Sequence, residues 1–236
     1  MKSTVAPGIA LVFGLCLLIP IISAEPPEAA PKPLQRGFVY LSDVAPDIEA
    51  SVRYASNQNF LGEPVDGYLA KKIVLTSQAA EALREVQEHL LKEGFSLKVF
   101  DAYRPQRAVN HFVRWGRDLN AQDTKAKYYP DVAKAELFNR GYIARQSGHS
   151  RGSTLDLTLI KLEPKKQEVD MGTPFDFFDR RSWPYSDEVT AEQHANRMRL
   201  RTAMKEHGFR PYDREWWHFT LINEPFPETY FDFPIK

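Results

Sequence analysis

The chain has 236 residues, 43% hydrophobic and 26% charged, a composition that excludes a disordered, collagen-like or coiled-coil protein. Its 31 basic and 31 acidic residues balance, so nothing in the charge calls for nucleic acid or an anionic membrane as partner. A single cysteine, Cys16, excludes an internal disulfide framework and a four-cysteine metal site, which leaves histidine and carboxylate as metal donors.

Lys2, the uncharged apolar run Ile9 to Ile22 and the small residues Ser23-Ala24 predict a secretory signal peptide over residues 1–24, cleaved after Ala24. The alternative is an uncleaved membrane anchor, but Pro7, Gly8, Gly14 and Pro20 interrupt a stretch that needs about 20 apolar residues to span. Either reading makes the protein extracytoplasmic, and cleavage makes it periplasmic or secreted with no stable membrane insertion. Residues 25–36, which open on EPPEAAPKP, are too polar and proline-rich to build a core and predict an extended tether. Residues 37–236 show no repeat and no second linker, and read as one domain.

Within that domain, Ser77 to Glu93 sets Ala80, Leu83, Val86, Leu90 and Leu91 at helical spacing, with Ser77 as N-cap and Gly94 as the stop. Phe95 to Phe100 alternates as a strand and runs into Asp101-Ala102-Tyr103-Arg104-Pro105, where Pro105 suits the first turn of a second helix through Trp115. Leu155 to Ile160 predicts another strand. Thr190-x-x-Gln193 is a capping-box pattern heading a third long helix that ends at His207 and Gly208, and Trp216 to Leu221 is a last strand. Helices and strands do not alternate regularly, so the expected fold class is α+β with an antiparallel sheet.

Three segments carry candidate chemistry: SGHSRG (Ser147 to Gly152) leading into the strand TLDLTLI, EWWHF (Glu215 to Phe219), and DAYR (Asp101 to Arg104). Asp156 stands between Leu155 and Leu157, and a carboxylate in such a strand needs a cation or a metal as partner. His149 lies seven residues upstream behind the Gly152 turn, and His218 sits among Trp216, Trp217 and Phe219, where imidazole must be hydrogen-bonded or metal-bound. Two histidines, one aspartate and an open fourth position would make a catalytic zinc site, with Glu215 placed as the general base. In a strict strand, positions 215 and 218 face opposite ways, so this arrangement requires a turn or bulge between them. Arg104 is placed to present a fixed charge to an oxyanion or a carboxylate.

Taken singly, each of these residues has a plainer reading. His149 in a glycine-rich loop reads as solvated and His218 as a satisfied core residue. Asp156 then caps a turn or pairs with Arg151, Glu215 pairs with Arg214 at the rim, and Arg104 makes a surface ion pair. His89, His111, His194 and His207 lie on amphipathic helices and read as structural. Phe175, Phe177, Phe178, Trp183 and Tyr185 read as core or pocket wall.

The ordered set VRYASNQNFLGEPVDGY, FDAYRPQRAVN, SGHSRGSTLDLTLI, MGTPFDFFDRRSW, EWWHF and YFDFPIK spans nearly the whole domain. It resembles the D-alanyl-D-alanine dipeptidases of the vancomycin-resistance type, zinc peptidases whose fold is shared with DD-carboxypeptidases and Hedgehog signalling domains. The resemblance implies one Zn2+ held by His149, Asp156 and His218, with Glu215 as acid/base and Arg104 facing the transition state. It places Tyr54, Ser147 and Asp176 at the substrate's amino end. The implied activity is hydrolysis of the small D,D-dipeptide D-Ala-D-Ala to two D-alanines. Two alternatives stay open: a DD-carboxypeptidase acting on longer muropeptides, and a non-catalytic zinc module that binds cell-wall peptide. Gly148, where relatives often carry serine, removes a possible side-chain hydrogen bond, and the export signal departs from cytoplasmic relatives. Oligomeric state is not legible.

Overall fold

The computed structural model describes residues 1–4 and 34–236; the rest of the predicted signal peptide and the tether as far as Pro33 lie outside the described residues. Among the described residues, no helix is long and apolar enough to cross a membrane. The chain opens with β1 (Phe38–Tyr40), α1 (Leu41–Val44), β2 (Glu49–Ala50) and β3 (Val74–Thr76), followed by α2 (Ser77–Lys92), β4 (Phe95–Asp101) and α3 (Gln106–Arg117). Next come α4 (Lys125–Tyr128), β5 (Thr154–Lys161), β6 (Gln167–Glu168), α5 (Ala191–Glu206), β7 (Phe209–Pro211) and β8 (His218–Leu221).

The principal sheet runs β2-β4-β5-β8-β7, with β6 added beside β5, while β1 and β3 form a separate antiparallel pair. All pairings in the principal sheet are antiparallel except the short one between β2 and β4. This is the α+β architecture expected from the irregular order of elements. Helix α2 packs on β4, and α5 packs on β5 and β7, which makes β5 a central strand whose residues Thr154 to Ile160 are all buried. Side chains alternate along a strand, so Leu155, Leu157 and Leu159 share one face while Thr154, Asp156 and Thr158 share the other. Asp156 is therefore not surrounded by its leucine neighbours; it faces away from them.

Three predicted boundaries shift for identifiable reasons. The cap of α2 is Thr76, whose hydroxyl accepts from the Ala79 amide; Ser77 is the first helical residue instead. Pro105 is the N-cap of α3 rather than its first turn. The last strand begins at His218, because Trp216 and Trp217 belong to a turn in which the His218 amide donates to the Glu215 carbonyl at 3.4 Å. That turn is the break that positions 215 and 218 required. The capping box at Thr190 forms as expected, with both the Gln193 amide and the Gln193 side chain engaged.

Gly152 closes the short 3-10 helix Gly148–Arg151 with φ +87°, and a β-carbon there would run into the Phe38 ring. Gly152→Ala should therefore lower stability by about 2 kcal/mol or more, from left-handed strain and the clash together. Denaturant unfolding checks this, and because the turn carries His149, activity should fall with it.

Candidate active site

The site is assembled across three adjacent strands. In the register of β4 against β5, Val99 opposes Leu157 and Asp101 opposes Asp156, so a bulge at Phe100 takes up one residue. On the other side of β5, Asp156 opposes His218 of β8. Directly paired residues share a face at close range, so Asp101, Asp156 and His218 form a row across the sheet. His149 reaches this row from the 3-10 helix, whose N-cap Ser147 accepts from the His149 amide at 3.3 Å.

His149 and Asp156 are almost completely buried. The Nδ1 of His149 donates to the Ala102 carbonyl at 2.7 Å, which fixes the ring's proton there and leaves Nε2 with a free lone pair. That Nε2 lies 3.3 Å from His218 Nδ1 and 3.3 Å from Asp156 Oδ2, while His218 Nδ1 lies 3.0 Å from Asp156 Oδ1. Three ligand atoms within 4.8 Å of one another, on an anchored tautomer, fit a metal ion. Two imidazole nitrogens on one tetrahedral zinc would sit about 3.3 Å apart, which matches. The outer hydrogen bond to Ala102 also holds the His149 ring at the angle a ligand needs. Burial by itself would raise the Asp156 pKa, but His149 and His218 outweigh it and hold the carboxyl well below its usual range. The pairings of Asp156 with Arg151 and Glu215 with Arg214 do not occur. Arg151 instead forks onto Glu224 at 2.8 Å through both nitrogens, and Arg214 reaches the Arg140 carbonyl.

Glu215 stands beside the metal-binding group, with Oε2 3.5 Å from His218 Nδ1. Burial raises its pKa, Asp156 adds to the rise, and His218 and Arg104 oppose it. A carboxylate whose pKa is raised in this way takes up a proton more readily than a free one, as an acid/base group must. Arg104 is largely buried, its side chain 11% exposed. Its Nε and Nη2 both lie 2.9 Å from Asp101 Oδ2, its Nη2 is 3.5 Å from Asp156 Oδ2, and its guanidinium lies over the Tyr54 and Phe112 rings.

Tyr54 donates its hydroxyl to Asp176, 2.9 and 3.1 Å from the two carboxylate oxygens. Asp176 is buried and holds a left-handed backbone with φ 61°, the only such non-glycine residue among those described. Burial and the nearby Asp156 charge push its pKa well up, against Arg104 and the Tyr54 hydroxyl. Strain of this kind, at a buried carboxylate with one hydrogen-bond partner, marks a site shaped for something other than stability.

All eight predicted residues (Tyr54, Arg104, Ser147, His149, Asp156, Asp176, Glu215 and His218) line one cavity of about 340 Å3. Phe178 joins its wall, whereas Tyr185 lies out in solvent. At Gly148 a β-carbon would come 2.7 Å from the Thr154 hydroxyl, which pairs with Thr220; that hydroxyl occupies the room a serine would take.

Asp101 lies in the candidate DAYR segment, but the sequence assigns it no role of its own. Fully buried, it accepts from the Tyr68 hydroxyl at 2.6 Å while holding Arg104. The available signal was its place three residues before Arg104 at a strand end. Asp101→Ala leaves the Arg104 charge buried without its main partner, so a loss of about 3–5 kcal/mol is expected in chemical unfolding.

A His–Asp–His group, a carboxylate of raised pKa beside it and a largely buried arginine, all lining one cavity, define a metallohydrolase. The chain belongs to the D-ala-D-ala dipeptidase family of M15 peptidases, whose sequence model matches residues 34–236. It is 41% identical over 203 residues to a D-alanyl-D-alanine dipeptidase of Enterococcus faecium, covering 86% of this chain and 100% of the relative. It is 46% identical over 198 residues to one from Streptomyces coelicolor, covering 84% and 98%. Among solved structures, VanYB in complex with D-Alanine-D-Alanine matches 66% of this chain and 76% of its own, at 14% identity and a TM-score of 0.39.

Proposed function

We propose that the protein hydrolyses D-Ala-D-Ala to two D-alanines in a zinc-dependent reaction outside the cytoplasm. The observation that carries this reading is the presence, in one cavity, of the metal-binding group with Glu215 and of the buried pair Tyr54 and Asp176. The dipeptidase names of the relatives support the substrate.

His149, Asp156 and His218 would hold the zinc, which when bound acts as a Lewis acid toward the scissile carbonyl and acidifies a water molecule. Asp176, with the Tyr54 hydroxyl, receives the free ammonium of the dipeptide and closes that end of the cavity to longer chains. Ser147 presents its hydroxyl to the same substrate. Glu215 takes a proton from the attacking water and delivers it to the leaving amine. Arg104, held by Asp101, turns a fixed positive charge toward the oxygen that gains negative charge, and it needs no reorganisation to do so.

Comparison of D-Ala-D-Ala with N-acetyl-D-Ala-D-Ala tests the amino-end assignment. The free dipeptide should be preferred, and Asp176→Asn should lower its kcat/KM by about 10- to 100-fold, the scale of a charged hydrogen bond. Preference for the acetylated substrate would instead mark a carboxypeptidase. The location rests on Lys2, the Ile9 to Ile22 run, Ala24 and the proline-rich stretch behind it. An exported enzyme meets dipeptide outside the cell rather than the newly made cytoplasmic pool. Amino-terminal sequencing of protein from fractionated cells should find a chain starting at Glu25; a cytoplasmic chain starting at Met1 would reject export.

A further inference from the structure

Helices α2 and α5 bring together a second group of ligand-type side chains, none of which lines the catalytic cavity. His89 lies in the last turn of α2 and His207 is the C-cap of α5. Their rings meet at 69° with His89 Nδ1 and His207 Nε2 3.1 Å apart. Each ring has a carboxylate near its outer nitrogen: Glu93 Oε1 is 3.3 Å from His89 Nε2, and Glu85 Oε2 is 3.6 Å from His207 Nδ1.

An ionised carboxylate can only accept, so these glutamates favour the protons on the outer nitrogens. The inner nitrogens then present two lone pairs to one point, an arrangement that repels unless something positive lies between them. Glu206 is the third candidate donor, its Oε2 being 3.6 Å from the same His89 nitrogen and its side chain 55% exposed. Two imidazole nitrogens on one tetrahedral ion would be separated by about 3.3 Å, close to what these rings already adopt. Both helix C-termini contribute partial negative charge here, and the nearby cation, Arg199, is 3.4 Å from the other oxygen of Glu93. A cleft of about 390 Å3 bounded by His89, Glu93, Arg199 and Glu206 opens the His89 side of the pair to water.

We propose that His89, His207 and Glu206 form a second metal site, which takes a divalent first-row ion suited to imidazole, such as zinc, and clasps the ends of α2 and α5 together. Glu93 and Glu85 hold the ligand tautomers, the part that the Ala102 carbonyl plays for His149. Its ligands come from the ends of two packed helices, so its role is a structural clasp. Because the two histidines are 118 residues apart and meet only in the folded chain, ion binding stabilises the fold by mass action.

Equilibrium dialysis of the holoenzyme against zinc, followed by elemental analysis, is the test. The wild type should bind two ions per chain and the double variant His89→Gln/His207→Gln one, with turnover of D-Ala-D-Ala unchanged in the variant. Zinc beyond one equivalent should raise the Tm of the wild type and leave that of the variant in place. A wild type that stops at one ion per chain, as a histidine pair sharing a proton would, overturns the proposal; so does a variant that still binds two. Should the double variant fail to fold, Glu206→Gln leaves both rings in place. Its second ion should bind about tenfold more weakly, and an unchanged Kd would overturn the site.

Discussion

Glu215→Gln is expected to lower kcat for D-Ala-D-Ala by about 10³-fold while the bound metal stays at the wild-type level. The two halves of this result have separate structural causes. Glu215 is not one of the three clustered donor groups, so its loss takes nothing from the metal-binding set. Glutamine keeps the shape of the side chain but can neither take a proton from water nor return one to the leaving amine. The raised pKa of Glu215, from burial first and the Asp156 charge second, is what equips it to do both within one turnover. Steady-state kinetics and elemental analysis on the same preparation give the answer. Turnover near the wild-type rate would remove Glu215 from the mechanism, and loss of metal along with activity would reassign it as a ligand.

Elements were legible where local chemistry is strong. The apolar spacing of α2, the capping box of α5 and the alternation of β4 each need only neighbouring residues, and each appears within a residue or two of its expected bounds. The candidate metal group was legible because its residues are out of place locally: an aspartate in an apolar strand, a histidine among tryptophans. What stayed hidden depends on register. Asp101 comes opposite Asp156 only because Phe100 is bulged, and nothing in FDAYR announces a bulge. The start of β8 was misjudged for a related reason, since Trp216 and Trp217 have high strand propensity yet are spent on the turn that aims Glu215 toward His218. Asp176 was reached through family resemblance alone, because its significance is a backbone angle and a hydroxyl 122 residues away. His89 and His207, read one helix at a time, were ordinary surface histidines; only the packing of α2 on α5 makes them a pair.

Asp156→Asn is expected to empty the catalytic metal site and abolish turnover in a chain that still folds. Asp156 is the central member of the row across the sheet, with one oxygen toward His218, the other toward His149, and Arg104 3.5 Å away. Its carboxyl is held ionised by the two histidines despite its burial, so the site is organised around that negative charge. Asparagine has the same size but no charge, so the two imidazole nitrogens and any ion between them face a neutral amide oxygen in place of an anionic donor. Metal affinity should therefore fall by at least about 100-fold, more than loss of an outer hydrogen bond costs. Arg104 keeps both of its 2.9 Å contacts to Asp101, so no buried charge is left without a partner and the fold should survive. Circular dichroism checks the folding, and metal content after dialysis against a chelator checks the site. A variant that folds and retains both its metal and its turnover would remove Asp156 from the ligand set. A variant that folds, loses its metal and recovers part of its activity in excess zinc would show that the charge sets affinity rather than the chemistry that follows.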